Sequence, residues 1–254
     1  KTMMRIDLKN PLKPKSKISF NINWWYNIND GGNFGGRSGF EFFPIEKNYM
    51  YHIAQFYPRM CAYNETDGWQ NKQFLGRGEF TLSFGDYTVE ITAPEDHTVG
   101  ATGELQNAND VLTKEQIERL EKSKTAEKPL MIISESEART IEKNKKTEKK
   151  TWVFKAKNVR DFGFCSSRKF IWDAQGVQLG DRTVMAMSYY PKEGNPLWEK
   201  YSTRAIVHTL NVYSKYTFNY PYPTAISTHA NFTGMEYPMI CFNFGRPRPD
   251  GSYS

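Results

Sequence analysis

The chain predicts a mainly β fold with α insertions, on three observations. Ile18, Phe20, Ile22, Trp24, Tyr26 and Ile28 fall on alternate positions, as one apolar face of a strand requires. Tyr87, Val89 and Ile91 do the same before Pro94 ends their run. Short apolar runs separated by glycine and proline turns fill the first two-thirds, the pattern of a sandwich-type sheet domain. With 254 residues, 39% of them hydrophobic and 15% aromatic, the chain has material for a substantial core.

The elements follow in order. Lys1-Thr2-Met3-Met4 runs straight into strand-like sequence without a signal peptide, so a piece of a longer protein is expected. Asn10-Pro11 and Lys13-Pro14 supply turns before the first strand. The stretch from Asp30 to Gly39 holds five glycines and is expected to be a hairpin tip without regular structure. It lacks the Gly-Lys-Ser/Thr ending of a phosphate-binding loop. Phe80, Leu82 and Phe84 alternate on even numbers and the next run on odd ones, so a bulge or bend is placed at Gly85-Asp86.

A helical insertion is expected at about 109–148. Thr113 to Gln116 forms a capping box, with Leu112 and Ile117 as its hydrophobic staple, and this helix should reach about Lys124. Ser134 to Glu137 forms a second box. The lysine-rich segment from Lys143 to Lys157 holds much of the net charge of +6; a solvated loop is expected there rather than a nucleic-acid patch, because no stacking aromatics are spaced through it. Thr151–Phe154 and Thr183–Tyr190 supply further strands. A boundary is placed after the latter, giving segments 1–192 and 193–254. Asn195-Pro196 should start a helix ending near Phe218, its packed face carrying Leu197, Trp198, Tyr201, Ala205, His208 and Val212. Ala225–Ser227 and Met239–Phe242 read as strands.

Several chemistries are excluded. No apolar run approaches the ~20 residues of a membrane helix. Cys61, Cys165 and Cys241 form no Cys-x-x-Cys pair; one disulfide or three free thiols both fit. No Gly-x-Ser-x-Gly elbow occurs, and His52, His97, His208 and His229 form no metal-binding spacing, so no metal ligand is assigned. His229 alone falls near the stretch that stands out, Thr233-Gly234-Met235-Glu236-Tyr237-Pro238. There a carboxylate follows an apolar run, suited to holding a cationic amino group.

The order of the Asn195–Phe218 helix, Tyr220-Pro221-Tyr222-Pro223, the Ala225–Ser227 strand and Gly234-Met235-Glu236-Tyr237-Pro238 resembles the aminopeptidase N-like zinc metallopeptidases, the gluzincins that include leukotriene hydrolase. Ile53 to Met60, Gly68-Trp69, Trp152-Val153-Phe154 and Val159 to Phe162 resemble strands of the same family, so the likeness covers nearly the whole chain. It implies a partial saddle-shaped β N-terminal domain followed by the first helix and strands of a thermolysin-like α+β catalytic domain. Thr233 and Tyr237 depart from the family signature Gly-x-Met-Glu-Asn, while Glu236 keeps it. The resemblance further implies a peptide substrate, with Glu236 and Gln55 at its α-ammonium and Gly234 and Met235 along its backbone. Zinc would sit on a His-Glu-x-x-His helix absent from these residues and borne by the remainder of the catalytic domain. An exported, periplasmic or cell-envelope location goes with that resemblance. The rival expectation is a binding module or a non-catalytic scaffold, in which exposed aromatics such as Trp24, Trp25 and Trp69 would take carbohydrate or a protein partner.

Overall fold

The computed structural model describes residues 2–76, 81–231 and 234–253. Along the chain the elements are α1 (Gly31–Phe34), β1 (Gly39–Phe43), β2 (Asn48–Ile53), β3 (Tyr63–Asn64), β4 (Gly68–Trp69), β5 (Gly85–Pro94), β6 (Thr98–Ala101) and β7 (Glu104–Leu105). Then come α2 (Ala108–Val111), α3 (Lys114–Ser123), β8 (Leu130–Ile133), α4 (Glu135–Lys143), β9 (Lys149–Val159), β10 (Phe164–Ser167), β11 (Ile171–Leu179) and β12 (Arg182–Tyr190). A single 3₁₀ turn, Lys192–Gly194, leads to α5 (Leu197–Tyr216), β13 (Thr224–His229), β14 (Met235–Tyr237) and β15 (Ile240–Asn243). The fold is mainly β with α insertions.

Two sheets are antiparallel throughout, β1-β2-β10-β6 and β5-β9-β7. A third, β14-β15-β13-β12-β11-β8, is mixed. Its parallel neighbours β12 and β13 need a crossover, and α5 is that crossover, packed on β11, β12 and β13. This sheet takes three strands from either side of position 192. The main core lies between the sheets around Trp152, Phe162, Phe170 and Tyr190, all essentially free of solvent.

Several local expectations match. The register of β5 against β9 shifts between Gly85 and Tyr87, the bulge that the change of parity marks. Both capping boxes are closed in both directions, on Thr113/Gln116 and Ser134/Glu137. Of the two cysteine states left open by the sequence, the structure holds free thiols at Cys61, Cys165 and Cys241.

Others are corrected. Residues 18–28 form no strand, and their apolar side chains face solvent, Trp25 at 86% and Phe20 at 53% exposure. Alternation specifies an apolar face but not a partner edge; this segment is held instead by Trp24, whose indole N–H donates to the Phe56 carbonyl at 2.8 Å. The glycine-rich stretch does contain a regular turn. The Asp30 carboxylate accepts from the Gly32 and Asn33 amides at 2.9 and 3.2 Å and nucleates α1. Leu82 and Phe84 lie outside any strand, and Phe80 falls outside the described residues. The insertion at 109–148 holds an apolar strand, β8, whose Leu130, Met131 and Ile133 pair with β11.

The lysine segment is only partly loop: from Lys149 it is strand β9, where Lys150 donates to the Val111 carbonyl and lies 4.9 Å from the Trp152 ring. The helix after Asn195 begins at Leu197, following a cis Asn195–Pro196 bond, and ends at Tyr216. Its buried face is Trp198, Thr203 and Leu210, while Tyr201, Ala205 and His208 are exposed. The sheet offers α5 less cover than the pattern of apolar residues implies. Among the described residues no helix is long and apolar enough to cross a membrane.

Buried charge also holds these layers together. The Lys169 ammonium is sealed from solvent, 2.8 Å from Glu142, 3.1 Å from Glu193 and 3.5 Å from Glu46, and 4.4 Å from the Phe43 ring. Three acceptors from separate segments offset its desolvation, so removing one of them costs more than a surface pair would.

Candidate functional site

The sheet of six ends in β14, a three-residue edge strand paired only through β15, with Glu236 opposite Cys241. The two strands are joined through Pro238 and Met239. Met239 takes φ 65, so the reversal is tight. Along β14, Met235 is half-buried, Glu236 exposed and Tyr237 buried.

Glu236 opens into a cleft of about 740 Å³. One wall is β14, with Met235, Glu236, Tyr237 and Pro238. The facing wall is the loop that leaves β2, with Gln55, Tyr57 and Arg59. Gln55 has φ 51, a left-handed conformation that costs a non-glycine residue ~1–2 kcal/mol. That reversal ends β2. It is supported by Ser38, whose hydroxyl accepts from the Ala54 amide at 3.1 Å and donates to the His52 carbonyl at 3.3 Å.

Beneath both walls lies Asp161, 7% exposed. One carboxylate oxygen accepts from the Tyr57 hydroxyl at 2.9 Å and from the Phe162 amide at 2.8 Å, while the other pairs with the Arg59 guanidinium. Tyr57 also bonds the Tyr87 hydroxyl at 3.1 Å. Burial, then the Tyr87 and Asp161 contacts, push the Tyr57 phenol far above its ordinary value, so it stays a donor. Tyr237 is raised too, by burial first and by the Asp161 charge second. Tyr237 lines the cleft together with Asp161 and Gln55. Gly163 makes this approach possible: a Cβ there would stand 3.0 Å from the Tyr237 ring.

Of the residues singled out from the sequence, Gln55, Met235 and Glu236 come together in this cleft. Gly234 does not line it. It packs beside Phe244, where a Cβ would meet the ring at 3.2 Å, so its small size serves that contact. Thr233 lies outside the described residues. His229 is remote in character from Glu236: it is buried, its Nε2 accepts from Arg246 at 3.2 Å, and its ring lies 5.2 Å from Trp198. Burial, then the Arg246 charge, hold it well below its ordinary pKa, so it is a neutral core residue.

On the other side of β14, α5 and the end of the sheet enclose a second groove of about 740 Å³, lined mainly by carbon. Tyr201, Tyr213, Phe218 and Phe244 stand along it, each more than half exposed. Tyr237 and Pro238 belong to both cavities. Trp24, Trp25 and Trp69 line neither.

Among the described residues, no cluster of three or more His, Cys, Asp or Glu could hold a metal ion. These side chains therefore do not fit a zinc site. Tyr57, Arg59, Asp161 and Gly163 carry no sequence signal that marks them as site residues. Their contacts join residues about a hundred positions apart, which no local periodicity records.

No protein-family model matches the chain, and no curated protein matches it. Solved structures that resemble it include a variant of the M1 zinc metallopeptidase from Deinococcus radiodurans, at 16% identity and TM-score 0.45, covering 77% of this chain and 36% of that one. The same enzyme bound to a Tyr-Ser-Ala substrate gives 16% identity and TM-score 0.45, covering 85% and 39%. A two-domain M1 zinc metallopeptidase variant bound to L-tryptophan gives 16% and 0.43, covering 76% and 35%. The chain thus spans little more than a third of the length of these structures.

Proposed function

We propose that this chain supplies the amino-terminal anchor of a zinc-dependent aminopeptidase that removes single residues from peptides. The observation that carries the reading is the convergence of Gln55 and Glu236, from opposite ends of the chain, on one cleft. Glu236 is an exposed carboxylate at the rim of a concave wall, able to accept charge-assisted hydrogen bonds from a substrate ammonium. Gln55 adds a neutral acceptor from the opposite side. A ligand held between the two must present its amino end, so a peptide enters only as far as its first residue. Met235 offers an apolar contact to that residue. The β14 edge lies beside it with backbone groups suited to an extended chain.

The zinc of such a reaction would be held by polypeptide other than these residues, and the role of this chain is confined to binding and orienting the peptide. In this reading, segment 1–192 belongs to a β N-terminal domain and 193–254 begins a thermolysin-like catalytic domain. The apolar groove along α5 then gives the remainder of that domain a surface to pack on.

The test is kinetic, in the enzyme assembled with its zinc-bearing part. Glu236→Ala should lower kcat/KM for an aminoacyl anilide by about 10- to 100-fold, the range set by ~1.5–3 kcal/mol for a hydrogen bond to a charged group. Gln55→Ala should cost about fivefold, since a neutral bond contributes ~1 kcal/mol. Undiminished hydrolysis by the Glu236 variant would reject the assignment.

A further inference from the structure

We infer that Asp161 is the positioning residue of this cleft, fixing the separation of the Gln55 and Glu236 walls; the inference rests on the ammonium-anchor reading above. Asp161 lines the cleft, but it is 7% exposed and its carboxylate is engaged by its neighbours. Its carboxylate takes hydrogen bonds from Tyr57 and Arg59, which belong to the Gln55 wall, and Gly163 of the same segment packs against the ring of Tyr237, the residue following Glu236. A Cβ at Gly163 would also stand 3.4 Å from the Ile53 carbonyl, so the segment bearing Asp161 meets both walls.

Among the described residues, β14 pairs with β15 on one side and with no strand on the other. What holds it is this network together with Thr102, whose hydroxyl donates to the Pro238 carbonyl at 2.9 Å and accepts from the Gly163 amide at 3.1 Å. Through Thr102 the two bonds link Pro238, just past β14, to the segment bearing Asp161. The carboxylate is nearly sealed from solvent and offers only acceptors, matched to donors arriving from two side chains and its neighbour's amide. An amide in its place would turn one acceptor into a donor facing a donor. The walls would then move apart, and two acceptors set to meet one ammonium lose it when either shifts by about an ångström.

The experiment is a double-mutant cycle on the 254-residue chain, read by NMR titration with the tripeptide Tyr-Ser-Ala and its N-acetylated form. Asp161→Asn should weaken binding of the free tripeptide about tenfold and leave the acetylated form unchanged. In a Glu236→Gln background the same substitution should have no further effect, because its influence runs through that carboxylate. Tyr57→Phe removes a single bond to the hub and should give a smaller loss with the same dependence on Glu236; it decides the matter should Asp161→Asn fail to fold. Equal losses in both backgrounds would show a merely structural role and overturn the inference. So would unchanged binding by Asp161→Asn while the parent chain still prefers the free amino end. A parent chain that binds both peptides alike would instead sink the anchor reading and this inference with it.

Discussion

The two cavities flanking β14 are equal in size and opposite in chemistry. The cleft on one side is built from charges with partners: Arg59 on Asp161, Tyr57 on Asp161 and Tyr87, and Arg160 over the Phe84 ring at 4.7 Å. Glu236 stands at its open rim. The groove on the other side exposes Tyr213 at 68%, Phe218 at 72% and Phe244 at 61%. A cavity with satisfied polar walls suits a small polar ligand, whereas contiguous exposed aromatics mark a surface that polypeptide covers. One short strand therefore separates a polar cleft from an apolar groove.

That contrast can be broken experimentally, beginning with the largest effect. Trp198 lies at the floor of the groove, 5% exposed, its indole N–H donating to the Gly245 carbonyl at 2.7 Å. Trp198→Ala should destabilise the chain by ~3–5 kcal/mol in denaturant unfolding, while its peptide binding, where still folded, stays the same. Next, Glu236→Gln should leave unfolding within ~0.5 kcal/mol of the parent, being exposed, yet abolish most ammonium binding. A large stability loss there would show the carboxylate to be structural.

Acid should act on the core rather than on either cavity. Burial lowers His52 and His97 to about 4 and holds His229 well below its ordinary value, with Arg246 adding to the effect at His52 and His229. Below pH ~6.5 the unfolded chain binds protons at these residues and the folded one does not. Their contribution to stability is thus complete above that pH and lost as it falls toward 4. Asp173, raised to about 6 by burial, works in the opposite sense but is one group against three. Melting temperature should therefore drop between pH ~6.5 and ~4, and a rise over that range would contradict the assignment of neutral core histidines. The smallest effect is expected at the groove's rim, where Tyr213→Ser should change stability by less than ~0.5 kcal/mol.

Legibility in the sequence follows range of interaction. The capping boxes, the Gly85 bulge and the strands before and after α5 are local, and their residues state them. The Ile18–Ile28 alternation is local too, but a strand needs a neighbour that the pattern does not name. Periodicity points the packed face of α5 toward Tyr201 and His208 because aromatic and apolar residues surround this helix. Only the sheet decides which of them are covered. In the cleft, Glu236 is legible from its motif and Gln55 from a resemblance. Asp161 is not, because its role comes from Tyr57, Arg59 and Tyr237 meeting in space. The left-handed turn at Gln55, which aims that residue, carries no glycine or asparagine to announce it.

The most direct measurement is the affinity of this chain for Tyr-Ser-Ala against N-acetyl-Tyr-Ser-Ala at about pH 7, repeated at about pH 9. A grip on the ammonium predicts roughly tenfold or greater preference for the free peptide at the lower pH. That preference should shrink at the higher one, as an α-amino group of pKa ~8 loses its charge. Equal affinity for the two peptides at both pH values would contradict it.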